Sequence, residues 1–205
     1  MPSEYDPQTI SFYDEHGTEF CASTVNVDMS PLYRAFLDHI PAGGRILDAG
    51  CGSGRDSLAL LKLGYQVVSI DASTEMASAT TRLTGHNALL MRFDEMTFDS
   101  EFDGVWACAS LLHTSRQGLA PVLTRVARTM KPGGTLYCSF KYGKSERIEN
   151  GRLFNDQDDA SFQAVVSDQL DLELLRLWAT DDVRPGRNEQ WLNALARRSG
   201  DPGRL

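Results

Sequence analysis

The sequence of 205 residues has few cysteines, no long hydrophobic run and no excess of positive charge. It contains no Cys-x-x-Cys pair and no clustered histidines and cysteines with the spacing of a zinc site, so we expect no metal centre. Reduced, buried thiols are expected at Cys21, Cys51, Cys108 and Cys138. No apolar run approaches the length needed to cross a bilayer, and the acidic N-terminus is unlike a signal peptide. We therefore expect a cytoplasmic protein without membrane contacts.

The formal net charge of −8 makes the chain a poor general binder of phosphate backbones. The sequence also lacks the Asn/Asp-Pro-Pro-Tyr/Phe motif of enzymes that act on a flipped-out DNA base. Nucleic acid is therefore not the expected partner. A hydrophobic content of 41% and a charged content of 23% are ordinary for a globular protein, and the length predicts a single domain over residues 1–205. Both a monomer and a homodimer are compatible with the sequence.

The most informative motif is the segment Ile-Leu-Asp-Ala-Gly-Cys-Gly-Ser-Gly at residues 46–54, followed seventeen residues later by Asp71. An apolar strand here runs into a glycine turn, where the missing Cβ atoms let the backbone approach a ligand. A carboxylate at the end of the next strand is suited to binding the two hydroxyls of a ribose. The pair predicts a site for a cofactor that carries a nucleoside.

The spacing of the glycines argues against a dinucleotide. In the pattern Gly-x-Gly-x-x-Gly, the last position falls on Arg55 when counted from Gly50 and on Ser57 when counted from Gly52. Asp48 would also repel a pyrophosphate at the helix N-terminus. S-adenosylmethionine carries an ammonium and a sulfonium but no phosphate, so Asp48 suits its ammonium end. A nicotinamide oxidoreductase is the alternative that this spacing disfavours.

The order of apolar segments predicts alternating strands and helices, which is typical of an α/β doubly wound parallel sheet. Strands are predicted at 45–49, 66–70, 88–91, 102–108, 134–140, 171–179 and 189–197. Helices are predicted at 8–20, 30–40, 55–63, 73–83, 119–130 and 158–167. Ser30 is the expected N-cap of the second helix, with Pro31 in its first turn.

Four landmarks in order resemble the class I S-adenosylmethionine-dependent methyltransferases. Residues 46–54 resemble motif I, 67–71 the acidic strand, 102–106 the fourth strand, and 131–134 the turn before the fifth. The resemblance covers roughly residues 8–198, and the wider run is similar to a small stand-alone bacterial subgroup. It implies a Rossmann-like sheet of seven strands, mostly parallel, whose last strand is antiparallel and lies between strands five and six. It also implies that N-terminal helices, at about 8–40, cap the cofactor site.

The expected cofactor is S-adenosylmethionine, with S-adenosylhomocysteine as product. Contacts with it are expected from the ends of the first four strands: Asp48, Gly50, Cys51, Gly52, Gly54, Asp71, Ala72, Arg92, Phe93, Ala107 and Cys108. Many relatives carry an acidic residue where this chain has Arg92. Phe93 either packs on the adenine face or belongs to the core, and Asp94 is an alternative source of the missing acid.

Methyl transfer from a sulfonium needs alignment of the nucleophile and exclusion of water rather than a metal or a covalent residue. A general base is needed only if the nucleophile must lose a proton. His113, which follows the fourth strand, is the first candidate because histidine titrates near neutral pH. Tyr13 on the first helix is the second. A role in bracing the loop at His113, or in packing at Tyr13, is the alternative.

Basic residues after the fifth strand suggest an acceptor with an anionic group. The expected acceptor-binding residues are Lys141, Tyr142, Arg152, Arg184 and Arg187, with Phe154, Trp178 and Trp191 between them as stacking surfaces. Solvated charges beside a core of aromatic residues are the alternative. The sequence as a whole predicts S-adenosylmethionine-dependent methyl transfer to a small molecule. A tRNA-base methyltransferase and a non-catalytic S-adenosylmethionine-binding module are the alternatives.

Overall fold

The computed structural model describes residues 6–169, 171–184 and 186–200. The helices are α1 Pro7–Thr24, α2 Ser30–Leu37, α3 Arg55–Lys62, α4 Thr74–Thr84, α5 Arg116–Thr129 and α6 Asp159–Ser167. The strands are β1 Arg45–Ala49, β2 Gln66–Asp71, β3 Leu89–Leu90, β4 Phe102–Ala107, β5 Met130–Lys141, β6 Glu146–Glu149, β7 Arg152–Asn155, β8 Leu172–Asp181 and β9 Gln190–Arg198. Within these ranges, no helix is long and apolar enough to cross a bilayer.

Seven strands form one sheet in the order β3-β2-β1-β4-β5-β9-β8. Strands β1 to β5 pair in parallel, whereas β9 runs antiparallel to both of its neighbours. The strand order reverses direction at β1, where β4 is added on the opposite side from β2. The predicted fold class is confirmed, including the antiparallel last strand between the two strands that precede it.

Helices cover both faces of the sheet, and each face has its own apolar core. Phe102, Phe140 and Phe162 belong to the larger core, which includes the buried side of α5. Phe36 and Trp106 belong to the core under α2 and α3. Because strands such as β1 and β4 are covered on both faces, they read as nearly continuous apolar runs in the sequence.

Several predicted boundaries need correction. Helix α5 begins at residue 116 because Ser115 accepts a hydrogen bond from Gly118 N and caps it. Met29 rather than Ser30 is the N-cap of α2, and Ser30 instead donates to Asp28. Strand β5 begins at residue 130, and the expected turn at 131–134 is a bulge in its pairing with β4.

The hairpin of β6 and β7 has no counterpart in the sequence prediction. Its two strands pair antiparallel outside the main sheet, between β5 and α6. Asn150 and Gly151 form its tip, and both have positive φ angles, 51° and 74°. Consecutive residues in the left-handed region are typical of a type I′ turn, which matches the twist of a two-residue hairpin.

Candidate cofactor and acceptor site

A cavity of about 400 Å³ opens at the carboxyl ends of β1, β2 and β4. This is the edge of the sheet where ligands bind in doubly wound folds, next to the point where the strand order reverses. Helix α1 and the β6–β7 hairpin supply residues to the opposite wall, including Tyr13 and Arg152. The cavity therefore has a sheet side built by the glycine motif and a cap side built by distant parts of the chain.

The glycine loop after β1 forms the floor of the cavity. Gly50 has φ of 83°, and a Cβ at this position would lie 2.4 Å from the Ser110 Cβ. Ser110 cannot easily move, because its hydroxyl donates to Ala49 O at 2.6 Å. Gly52 has φ of 53° and also lines the cavity, together with Cys51. Only glycine combines this backbone with this close approach.

Gly54 has a different task from the two glycines before it. It does not line the cavity. Gly54 is the N-cap of α3 and has φ of 80°. A Cβ at this position would lie 2.9 Å from the Thr80 Cα on α4. This glycine therefore permits close packing of two helices, and the geometry gives its predicted cofactor contact no support.

Asp71 ends β2 beside the glycine loop and lines the cavity. Its carboxylate accepts hydrogen bonds from Gly52 N and Ser73 N, each at 2.9 Å. Burial raises the pKa of Asp71 to about 6, although these N–H donors favour the charged form. Each carboxylate oxygen has two lone pairs, so Asp71 retains acceptor capacity toward the cavity. Ala72 lines the cavity next to it.

Asp48 lies behind the loop rather than in the cavity. Its side chain is 2% exposed, is absent from the cavity wall, and accepts a hydrogen bond from Ser57 Oγ at 2.5 Å. Burial raises the pKa of this carboxyl, which favours the neutral acid. The predicted contact between Asp48 and a cofactor ammonium therefore has no support in the geometry.

Arg55 and Asp56 follow the loop and line the cavity, although no role at the site was predicted for them. Arg55 donates to both oxygens of Asp56, at 2.6 and 2.8 Å. Asp56 also accepts from Tyr33 OH at 2.5 Å and from Trp106 Nε1 at 2.9 Å. Burial opposes ionisation of Asp56, but the Arg55 guanidinium holds its pKa below the usual range. An arginine directly after a glycine loop was the signal that could have identified this pair.

The segment after β3 contributes Arg92, Phe93 and Asp94 to the cavity wall. The Arg92 guanidinium donates to both oxygens of Asp94, at 2.9 and 3.1 Å. Phe93 packs against the larger core and also lines the cavity, so the two predicted alternatives for this ring are compatible.

Of the two residues predicted to contact the cofactor at the end of β4, Ala107 and Cys108, only Cys108 lines the cavity. Ala107 is fully buried in the core, so its expected cofactor contact has no support in the geometry. Cys108 lines the cavity with its sulfur 3.7 Å from Arg55 Nη2. Burial raises the pKa of Cys108 to about 12, so it is present as the thiol at neutral pH.

Tyr13 and His113 meet at the cap side of the cavity. The His113 Nδ1 lies 2.6 Å from Leu153 O, which can only accept, so Nδ1 carries the proton. Nε2 is then the acceptor for Tyr13 OH at 2.8 Å. Burial lowers the pKa of His113 to about 4, so the ring is neutral at pH 7. Burial raises the pKa of Tyr13, opposed by the nearby Arg152 guanidinium.

The four basic residues predicted to bind the acceptor all line the cavity, namely Lys141, Arg152, Arg184 and Arg187. Phe154 and Trp191 line it as well. Tyr142 and Trp178 do not; the exposed Tyr142 OH donates to Asp159 Oδ2 at 2.6 Å. The prediction that Tyr142 binds the acceptor therefore has no support in the geometry.

Comparison with known proteins agrees with this architecture. A family model described as "Methyltransferase domain" matches residues 47–138, which run from β1 into β5. The chain is 33% identical over 145 residues to the cypemycin N-terminal methyltransferase of a Streptomyces species. It is 30% identical over 115 residues to a ubiquinone biosynthesis O-methyltransferase of Xanthomonas campestris. Residues 47–138 therefore belong to a methyltransferase domain, as the motifs that resemble the class I S-adenosylmethionine-dependent family predict. The predicted family is confirmed, and S-adenosylmethionine is the cofactor of that family.

The sequence matches span about half the length of these relatives. They cover 66% and 50% of this chain, and 56% and 47% of the Streptomyces and Xanthomonas proteins. A structural relative is the 1,6-didemethyltoxoflavin-N1-methyltransferase of Burkholderia thailandensis, solved with bound 1,6-didemethyltoxoflavin and S-adenosylhomocysteine. It has 20% sequence identity and a TM-score of 0.75, covering 93% of this chain and 85% of that one. This likeness shows that the methyltransferase fold extends well beyond the matched residues.

Proposed function

We propose that this protein transfers a methyl group from S-adenosylmethionine to a small-molecule acceptor. The observation that carries the proposal is a single cavity that joins a glycine loop and Asp71 to the Tyr13–His113 pair. Its volume of about 400 Å³ lies in the range of small-molecule sites, which is roughly 300–1,000 Å³. Cofactor and acceptor would then meet in one enclosed space.

The residues at the sheet side fit S-adenosylmethionine. Gly50 and Gly52 line the cavity without side chains, so the cofactor can approach their backbone, and Asp71 would offer a carboxylate to the ribose hydroxyls. We expect Cys51, Ala72, Arg92, Phe93 and Cys108 to complete the contacts, with α1 and α2 capping them. The cofactor supplies a methyl carbon already activated by a sulfonium, so positioning and water exclusion are the main tasks of the protein.

Tyr13 and His113 are suited to accepting a proton from the acceptor. The neutral His113 ring holds its acceptor nitrogen against Tyr13 OH, and Tyr13 lines the cavity. As the Tyr13 oxygen takes a proton from the acceptor, the hydroxyl proton of Tyr13 would pass to His113 Nε2 along the existing hydrogen bond, leaving a neutral tyrosine and a protonated histidine. This arrangement makes Tyr13 the group that contacts the acceptor and His113 the base behind it.

The acceptor is proposed to be small and to carry an anionic group. The basic side chains Lys141, Arg152, Arg184 and Arg187 share the cavity wall with Phe154 and Trp191, which offer flat apolar surfaces. The net charge of −8 disfavours a large RNA, so tRNA is the less favoured acceptor.

Calorimetric titration with S-adenosylhomocysteine and, separately, NAD tests the cofactor. We expect binding of S-adenosylhomocysteine, with Asp71→Asn weakening it at least tenfold. Because the Asp71 pKa is about 6 in the free protein, affinity should fall as the pH drops below 6 and remain level above it. The variant should lack this dependence.

Asp103→Asn is the control, because Asp103 accepts a hydrogen bond from Arg45 N at the amino end of β1 and does not line the cavity. Binding of NAD without S-adenosylhomocysteine would refute the proposal. Labelled methyl transfer into a metabolite extract, compared with bulk tRNA, then identifies the acceptor class. Tight cofactor binding without transfer into either pool would indicate a binding module rather than an enzyme.

A further inference from the structure

Three of the four basic residues on the acceptor side of the cavity already have carboxylate partners. Lys141 Nζ lies 2.8 Å from Glu189 Oε1. Arg184 Nε lies 2.9 Å from Asp182 Oδ1, and Arg187 Nη1 lies 3.7 Å from Glu189 Oε2. Each of these three side chains therefore has a carboxylate partner before any ligand binds, although Lys141 and Arg187 share Glu189.

Arg152 differs from the other three. Among the residues that the structure describes, no carboxylate lies within ion-pair distance of its guanidinium. Its Nε is buried without a hydrogen-bond partner. The guanidinium lies over the rings of Phe12 and Phe154, at 4.4 and 5.1 Å from their centroids. Stacking on rings leaves the N–H groups at the edge of a guanidinium free to bind a planar anion.

Arg152 also lies beside the proposed proton acceptor. Its Cζ is 5.9 Å from the centroid of the Tyr13 ring, and both residues line the cavity. A ligand anion held by Arg152 would therefore place the rest of a small molecule next to Tyr13 OH. Phe154 borders the same space and offers a flat apolar face.

We infer that Arg152 is the anion receptor of the acceptor site and selects a compact aromatic or heteroaromatic carboxylic acid. This inference rests on the proposed function and specifies its substrate class. One guanidinium without a carboxylate partner matches one negative charge, and Asp182 and Glu189, which line the same cavity, would disfavour a second. A phosphate monoester, which carries nearly two charges at neutral pH, is therefore a poorer match than a carboxylate.

The test measures binding of paired probes to the protein saturated with S-adenosylhomocysteine. The probes are benzoate, 4-hydroxybenzoate and indole-3-carboxylate, each compared with its carboxamide by ligand-observed NMR. We expect at least one carboxylate to bind tenfold or more tightly than its amide. Arg152→Gln should abolish that preference, and Arg152→Lys should retain only part of it, because lysine cannot form a bidentate pair.

Arg147→Gln is the matched control. Arg147 lies on the same hairpin, 5.3 Å from the Phe154 ring, but it is paired with Glu149 and Asp156 and does not line the cavity. The preference for carboxylate should survive in this variant.

Two results would overturn the inference: no preference in the unmodified protein, or a preference that Arg152→Gln preserves. If Arg152→Gln does not fold, the Arg152→Lys arm decides in its place. Retained binding of S-adenosylhomocysteine in either case would leave the proposed function intact. Failure to bind S-adenosylhomocysteine would instead refute the proposed function itself.

Discussion

The Tyr13–His113 pair shows how one hydrogen bond at the residue scale decides the chemistry of a site. Because Leu153 O fixes the proton on Nδ1, the free lone pair of the ring faces Tyr13. A histidine with the other tautomer would donate toward the tyrosine and could accept no proton from it.

Tyr13→Phe removes the hydroxyl and keeps the ring, so we expect kcat to fall by about 10²–10⁴. Affinity for S-adenosylhomocysteine should not change. Tyr65→Phe should leave kcat unchanged, because Tyr65 precedes β2 at the end of the sheet away from the cavity. Because the His113 pKa is about 4, and only the neutral ring accepts a proton, kcat of the unmodified protein should stay level from about pH 5 to 7. Steady-state kinetics with the acceptor from the labelling screen measures both. A loss of activity centred near pH 6.5 would contradict the lowered pKa of His113.

Single residues differ in how far the sequence could predict them. The glycine loop and Asp71 follow from spacing alone, because both contact the ligand region through backbone or through the end of a strand. The orientation of Asp48 does not follow, because the hydroxyl that binds it, Ser57, comes from the next helix. Likewise, the pairing of the basic residues around Arg152 depends on Asp182 and Glu189, which lie in the loop between β8 and β9.

At the scale of elements, α1 and the hairpin are joined by one buried hydroxyl. Thr9 Oγ1 accepts from Leu153 N at 2.8 Å and donates to Asp6 Oδ2 at 2.8 Å. The cap side of the cavity therefore depends on a contact between residues 144 positions apart.

Thr9→Val keeps the shape of the side chain but leaves Leu153 N without its partner. We expect a loss of about 1–3 kcal/mol in the free energy of unfolding, measured by urea denaturation. Ser11→Ala on the same helix is the control, because the exposed Ser11 Oγ donates only to Pro7 O within its own helix. Equal stability of the two variants would show that the hydroxyl does not join the elements.

The β6–β7 hairpin could have been predicted from its turn, although its strands were not among the predicted ones. Asn150-Gly151 is a strong signal for a two-residue turn. Its strands are only four residues long, Glu-Arg-Ile-Glu and Arg-Leu-Phe-Asn, and neither shows the apolar alternation that identifies a strand. The central strands β1 and β4, in contrast, are apolar and almost wholly buried.

At the scale of the whole molecule, Asp56 connects α2, α3 and β4. Its carboxylate is bound by Tyr33, Arg55 and Trp106, which come from those three elements. Asp56→Ala would leave the Arg55 guanidinium buried without its partner. Loss of one member of such a pair costs about 3–5 kcal/mol of folding free energy.

The comparison is with Glu101→Ala, which breaks the pair between Arg45 and Glu101 at the surface. Both side chains there are more than a third exposed, and such a pair contributes about 0.2–1 kcal/mol. Chemical denaturation of both variants should separate the two losses clearly. Losses of similar size would mean that Asp56 contributes no more than a surface charge.

The topology of the whole sheet was only partly readable from residues. Alternation of strands and helices predicts a doubly wound sheet, but the place of β9 between β5 and β8 came from the family resemblance. Periodicity records which residues are buried and not which strand lies beside which. Antiparallel pairing at this edge is set by contacts between segments that are about 60 residues apart, such as Thr135 and Arg197.

The main-chain N–H and C=O of Leu153 have a consequence for how this protein can change. Both of its links, to Thr9 and to His113, are made by main-chain atoms, so valine or methionine at position 153 would preserve them. A slip of one residue in the β6–β7 register would turn both groups away from these partners and break both hydrogen bonds at once. The tautomer of His113 is thus set by the geometry of the hairpin, and an insertion at the hairpin tip would disturb it more than most point mutations nearby.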